Sequence, residues 1–434
     1  MPSLATKMME HVLPHSLHRR DQLSKGEQYV GGLLAAEGRK TMRNIAALVG
    51  GSAAEQSMHH FISASTWDWR PAREALAHYL QRSASPRAWV VRPYAIPKVG
   101  DWSVGVDSWG GRQAGAPSTG QYAYGLWSAS DELSVPVNWR LFLSDRWTED
   151  QARRRRAGIP TEVISATPEE CAAASVLEPL RSWQMPSRPV VFDVPGADAR
   201  RLVTGFDAIS VPLIARAGSL TGCEVAAPAM PGFGSGPLTA RQILESVKGL
   251  RREAEWTDHA SGRRHTSLAM AIPVTLPGRV RGTARQGFQD QPRLLLVGEW
   301  EDPLLPPTHI WLTDLTRTPV PELLRLTKLS GRVAHEAESV GAEVGLRDFE
   351  GRSFGGWHRH MTLASVAHAV AALSEVTRPR ARISTSVVLG RRVSAAPAGR
   401  RPVRAQCAGS GSAAAQSALR DVASSPASAR RAVR

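Results

Sequence analysis

The sequence predicts an α/β chain: a helical N-terminal region, a strand-rich core, a β-rich insertion and a last core helix. Three observations predict it. Through residues 1–87 apolar positions recur at helical spacing, with Tyr29, Leu33 and Leu34 followed by Met42, Ile45, Ala46, Leu48 and Val49. From residue 88 onward short apolar runs bounded by Gly and Pro take over, the pattern of strands. Near the end a dense polar cluster, Glu350, Arg352, Trp357, His358, Arg359 and His360, heads an apolar run over 361–373. In that run Leu363, Val366, Ala367, Val370 and Ala371 fall at three- and four-residue steps, which predicts a helix with one buried face. By residue type alone, the cluster is read as satisfying backbone groups and nearby carboxylates.

Taken in order, the segment 63–69 leads into Pro71, a residue suited to a first helical turn, and a further helix runs to Leu80. The cations of this region, among them Arg19, Arg20, Lys25, Arg39, Lys40 and Arg43, either face phosphates or form a solvated helix face. Strands are predicted at 88–91 and 102–106, joined by a turn that holds Pro97 and Gly100, with a further pair at 122–128 and 135–143. A helix near 168–183 precedes the apolar strand 189–192, which ends in Asp193. The runs 213–215, 268–274, 294–297 and 308–312 predict the β-rich insertion, and 256–265, WTDHASGRRH, is read as a polar loop. The expected organisation is a helical region over 1–87, core over 88–199, insertion over 200–325 and core again over 326–375. Residues 376–434, mostly Ala, Arg, Ser, Pro and Gly, predict a basic disordered tail.

At 434 residues, 42% hydrophobic and 21% charged, the chain has an ordinary globular composition and room for two or three domains. It shows no apolar stretch of membrane-spanning length and no charged start followed by an apolar core, which predicts a cytoplasmic protein without a membrane partner. Cys171, Cys223 and Cys407 are odd in number and share no CxxC spacing, which points away from a disulfide framework and from a zinc site. The formal charge is +15, but residues 378–434 hold twelve arginines and one acid, so that +11 sits there and +4 on the rest. DNA binding by the folded part must therefore be argued from motif. GFGSG at 232–236 lacks the context of a nucleophile elbow, and 278–288 lacks the lysine of a phosphate-binding loop.

The segment 343–363, EVGLRDFEGRSFGGWHRHMTL, resembles the C-terminal signature of bacterial insertion-sequence transposases of the DDE superfamily. Gly345, Leu346, Glu350, Gly351, Arg352, Ser353, Gly356, Trp357 and His360 stand in register, with Asp348 one position off. Residues 29–46, YVGGLLAAEGRKTMRNIA, are similar to the family's N-terminal helical region, and 135–143, VPVNWRLFL, to a core hairpin, with Asn138, Trp139 and Arg140 in register. The resemblance implies a ribonuclease-H-like core with a helical N-terminal region and a β-rich insertion before the last core helix. It implies double-stranded DNA at element ends as partner, a homodimer, nucleoid association and Mg²⁺ as cofactor. The candidate DNA contacts are Arg39, Lys40, Arg43, Arg140, Arg332, Arg352, Trp357, His358, Arg359 and His360.

Strand transfer in this class uses paired divalent ions held by carboxylates from three separate segments. Asp193, in RPVVFDVPGAD, matches the middle position and is the candidate catalytic residue and metal ligand. The first acidic positions fall on Arg92 and Pro93, and an arginine there sets a fixed cation where a metal would sit. Counting back from Gly345 with the family's spacing puts the last glutamate at Ala334. Glu338, four residues on, is the substitute candidate, displaced by ~5 Å along the helix axis. The expectation is a transposase-like protein that binds element-end DNA with cleavage impaired or lost. The alternatives are an active transposase using substitute carboxylates, a DNA-binding repressor, and a decaying gene product.

Overall fold

The computed structural model describes residues 3–108, 119–206, 209, 211–226, 236–258, 261–277 and 294–377. All of them lie in one compact unit, Met1–Pro379; a second unit, Arg380–Arg434, lies outside the described residues. The expected tail beyond 377, Cys407, 278–288 and most of 232–236 also lie outside them.

Five helices open the chain: α1 (Leu4–Val12), α2 (Arg20–Ala35), α3 (Met42–Ala47), α4 (Ser52–Ser63) and α5 (Arg70–Ser83). The hydroxyls of Ser3 and Thr41 accept the Thr6 and Asn44 N–H groups and so cap α1 and α3, while Pro71 sits in the first turn of α5. There follow β1 (Ala88–Pro97), β2 (Val106–Ser108), β3 (Thr119–Ala129), β4 (Ser134–Leu141), α6 (Asp145–Thr148), α7 (Gln151–Ala157), α8 (Pro168–Ser182), β5 (Val190–Phe192), α9 (Ala199–Phe206) and β6 (Leu213–Arg216). β3 pairs antiparallel with both β1 and β4, whereas β5 runs parallel to β1 and β6 parallel to β5. The spatial order β4-β3-β1-β5-β6, three antiparallel strands and then two parallel ones, is that of a ribonuclease-H-like core.

The insertion does not form a separate body. It contains β7 (Gly222–Val225), β8 (Leu238–Thr239), α10 (Ala240–Ser246), β9 (Arg252–Thr257), β10 (Arg264–Thr275), β11 (Leu294–Trp300) and β12 (His309–Thr313). β12 pairs antiparallel with β6 and passes the sheet on to β11 and β10, giving twelve strands among the described residues. Three helices close the unit: α11 (Val320–Glu338), α12 (Val340–Glu343) and α13 (Phe354–Thr377). α11 packs on β1, β3, β4 and β5.

Four expectations are corrected. The strand expected at 102–106 is a turn, because Gly100 and Gly105 hold φ of 78° and 74°, and pairing with β3 starts only at Val106. The boundary at 200 cuts too early, since β6 is the fifth core strand. Residues 256–265 are not simply a loop: Trp256 faces His265 across the β9–β10 ladder, their rings stacked at 4.8 Å. α13 is not buried on one face. From Gly356 to Val370 each of its residues is buried, because α1, α2, α4 and β4 all pack on it. A helix covered on every side loses the amphipathic pattern of a surface helix.

Candidate functional site

The parallel register sets three charged side chains in a row. Val91 pairs with Phe192, and Phe192 with Ala215, so the next residues, Arg92, Asp193 and Arg216, continue three neighbouring strands side by side. The Asp193 N–H donates to the Val91 carbonyl at 3.0 Å, which fixes the strand end. Asp193 is 1% exposed, and each of its carboxylate oxygens accepts from a guanidinium: Oδ2 from Arg92, Oδ1 from Arg216 at 2.8 Å. Arg92 also donates to the Ser330 carbonyl of α11 at 3.2 Å, so the row is tied to the helix above it. Sequence reasoning brought Arg92 and Asp193 together and missed Arg216.

The row borders a cavity of about 220 Å³ that is also lined by Trp256, Glu299, His309 and Lys328. Buried Glu299 pairs with the Lys328 ammonium at 2.7 Å, and that ammonium rests 3.9 Å from the centre of the Trp256 ring. Burial lowers the pKa of His309, with the Glu299 charge working in the other direction. The cavity is thus a ladder of paired charges, with each buried acid beside a cation.

Ala334 lies four residues beyond Ser330 on α11, on the same helical side, and carries only a methyl group. Glu338 is turned outward, well exposed and ion-paired with Arg347, and it does not line the cavity. Pro93 pairs in register with Tyr124 on β3. Mg²⁺ takes hard oxygen ligands at short range. With both Asp193 oxygens held by guanidiniums and no acid at Arg92 or Ala334, the residues present do not fit a pair of such ions. Among the described residues no group of three or more His, Cys, Asp or Glu could hold a metal.

The DNA contacts expected in the WHRH cluster are corrected by burial, which favours the reading from residue type alone. Trp357, His358, Arg359 and His360 are all buried. Arg359 donates to the Ile62 carbonyl at 2.9 Å and the Trp67 carbonyl at 3.1 Å, closing the C-terminal end of α4. His360 joins the Tyr29 hydroxyl at 2.9 Å to the Gly345 carbonyl at 3.0 Å, and His358 stacks on Trp69 at 4.7 Å. Asp348 accepts the Lys40 N–H at 2.8 Å, and Glu350 the Met42 N–H at 3.4 Å, at the start of α3. Ser353 accepts the Gly356 N–H and donates to the Ser63 carbonyl. The signature is therefore a fastener between the N-terminal helices and α13. Lys40 is buried, its ammonium on the Ala36 carbonyl, and Arg332 is spent on the Asp131 and Glu132 carbonyls and Glu336. Arg140 is half-buried, while Arg39, Arg43 and Arg352 remain exposed.

This fastener has a pH signature. Burial pushes His360 and His368 down to about 4, and burial followed by the Arg73 charge holds His358 well below its ordinary 6.5. Between pH 6.5 and 4 the unfolded chain therefore binds more protons at these positions, and stability falls as pH falls through that window. Glu336, raised by burial to about 7 from 4.5, opposes the trend by one proton between pH 7 and 4.5. Three histidines against one glutamate leave a net loss. The urea midpoint is expected to drop from about pH 7 to about pH 5, and a rise across that interval would contradict the buried neutral histidines.

The model of the DDE superfamily endonuclease family matches residues 12–273, more than half of the chain. The match ends within β10, so the 343–363 signature lies beyond it. No curated protein matches the chain. Among solved structures the chain is similar to a piggyBac transposase seen by cryo-electron microscopy in a synaptic complex with hairpin DNA. That likeness has 8% identity over 86% of this chain and 80% of that one, with a TM-score of 0.36. The ribonuclease-H-like strand order and the family match agree: the chain belongs to the DDE superfamily endonuclease family.

Proposed function

We propose that this chain is a transposase-like protein of an insertion sequence that holds element-end DNA and no longer cleaves it. The observation that carries the reading is the Arg92–Asp193–Arg216 row, in which the one remaining acid of the expected triad is neutralised from both sides. A guanidinium is permanently charged, so no accessible pH frees the place for a cation. Catalysis of strand transfer by paired metal ions needs carboxylates both to bind the ions and to offset their charge, and one paired carboxylate does neither. Mg²⁺ is thus the family's cofactor without productive binding in this chain. DNA holding is supported by family membership and by the exposed cations Arg39, Arg43 and Arg352, which contact phosphates without any metal.

The test uses the full chain with Mg²⁺ or Mn²⁺ on a supercoiled plasmid carrying the element ends. Binding is expected to weaken steeply with salt, while no nicked product accumulates. Metal-dependent nicking that vanishes in Asp193→Ala would overturn the reading.

A further inference from the structure

The turn between β1 and β2 places an indole in an unusual setting. Trp102 is 56% exposed, although large aromatic side chains are normally well buried. Two guanidiniums lie over its ring, Arg156 of α7 with Cζ 4.9 Å from the ring centroid and Arg352 of the loop before α13 at 5.7 Å. Neither arginine has an ion pair among the described residues, so their charges are not consumed by acids. The turn itself is tied down. Asp101 accepts from Arg146 at 3.0 Å and Arg153 at 3.3 Å, and Lys98 donates to the Phe349 carbonyl. An exposed aromatic on a fixed turn, flanked by exposed cations from two other segments, has the parts of a stacking platform for a nucleic-acid strand.

We propose that Trp102, with Arg156 and Arg352, binds an unpaired stretch of DNA by stacking a base on the indole while the two arginines move to the flanking phosphates. In the free chain the guanidiniums cover the ring by cation–π attraction, worth little at an exposed site. A strand offers both partners a better one, because the base replaces the cation on the ring and the phosphate replaces the ring beneath the cation. The position suits this. β1 carries Arg92 and runs five residues further to Pro97, roughly 17 Å at ~3.4 Å per residue, before the turn begins. A strand passing the Arg92–Asp193 row can therefore reach the platform within a few nucleotides. The inference rests on the DNA-holding reading and adds to it a preference for unpaired ends.

The experiment measures fluorescence anisotropy of two labelled DNAs at low salt, a blunt duplex and the same duplex with an overhang of about five nucleotides. The expected result for Trp102→Ala is an overhang affinity roughly 5- to 100-fold weaker, with blunt-duplex affinity within ~2-fold of the parent. Trp102→Phe retains most of the preference, and the Arg156→Gln, Arg352→Gln double variant loses it. The exposed position leaves the melting temperature unchanged, so a loss of binding is not a loss of fold. Overhang binding unaltered in Trp102→Ala overturns the platform, as does an equal loss on both DNAs or a change of oligomeric state alone. Failure of the parent chain to bind the blunt duplex at all overturns instead the DNA-holding reading.

Discussion

Asp193→Ala is expected to lower the unfolding free energy by about 3–5 kcal/mol, the cost of removing one partner from a buried ion pair. The sign is the informative part. In a carboxylate cluster built for metal ions the acids repel one another in the metal-free protein, and deleting one relieves that repulsion. Here the acid stands between two guanidiniums that are 25% and 31% exposed, and deleting it leaves two like charges on the lining of one cavity with no acid between them. Arg92 keeps the Ser330 carbonyl as a partner, which offsets part of the loss. Asp193→Asn should behave almost as badly, because the amide keeps the shape and loses the charge. Replacing Arg92, Asp193 and Arg216 together by Met, Leu and Met should recover most of the stability, since a buried ionic group is often no better than an apolar one of similar volume. Urea unfolding of the metal-free chain checks the series. An Asp193→Ala protein as stable as its parent would show that the row is not a structural unit.

The row also shows how far residues alone lead. Strands β1, β5, β10, β11 and β12 announce themselves by apolar runs between Gly and Pro, and Arg92 and Asp193 could be matched to family positions without coordinates. Arg216 could not, because its place beside Asp193 depends on the parallel pairing of β5 with β6, which no local pattern states. Glu338 was misleading for the opposite reason. Helical spacing correctly sets it one turn past Ala334, but spacing does not say that Arg347 draws it outward. The WHRH cluster misled most. Four polar or aromatic residues in a row look like a surface, and the polar groups of His358, Arg359 and His360 are buried with partners from Tyr29, Ile62, Trp67 and Arg73, some 290 to 330 residues away in the chain.

Arg73→Met is expected to do at least as much damage as Asp193→Ala, about 3–5 kcal/mol or more, although it lies far from the row. Arg73 is 2% exposed, and burial lowers its guanidinium to about 9 from an ordinary 12.5. The cost of burial is offset by a full set of acceptors. Nε donates to the Thr362 hydroxyl at 2.7 Å, one terminal nitrogen to Asn138 Oδ1 at 2.9 Å and the Trp139 carbonyl at 3.0 Å, and the other to the His358 carbonyl at 3.2 Å. The same nitrogen meets His358 Nδ1 at 3.1 Å; since arginine only donates, that ring nitrogen is the unprotonated acceptor, in keeping with a neutral His358. Methionine fills much of the volume and supplies no donor, so Asn138 Oδ1 on β4 and His358 Nδ1 on α13 lose the donor they have in the interior. Lysine should rescue only in part, because three donors on one atom cannot span groups that a planar fork reaches. Because Arg73 hydrogen-bonds α5 to both β4 and α13, its loss should also loosen the N-terminal helices before the core melts. Limited proteolysis would then cut between α4 and α5 at urea concentrations where the sheet is still intact. An Arg73→Met chain that unfolds in one step at the parent midpoint would mean that these bonds merely accompany the packing of α5 and do not hold it.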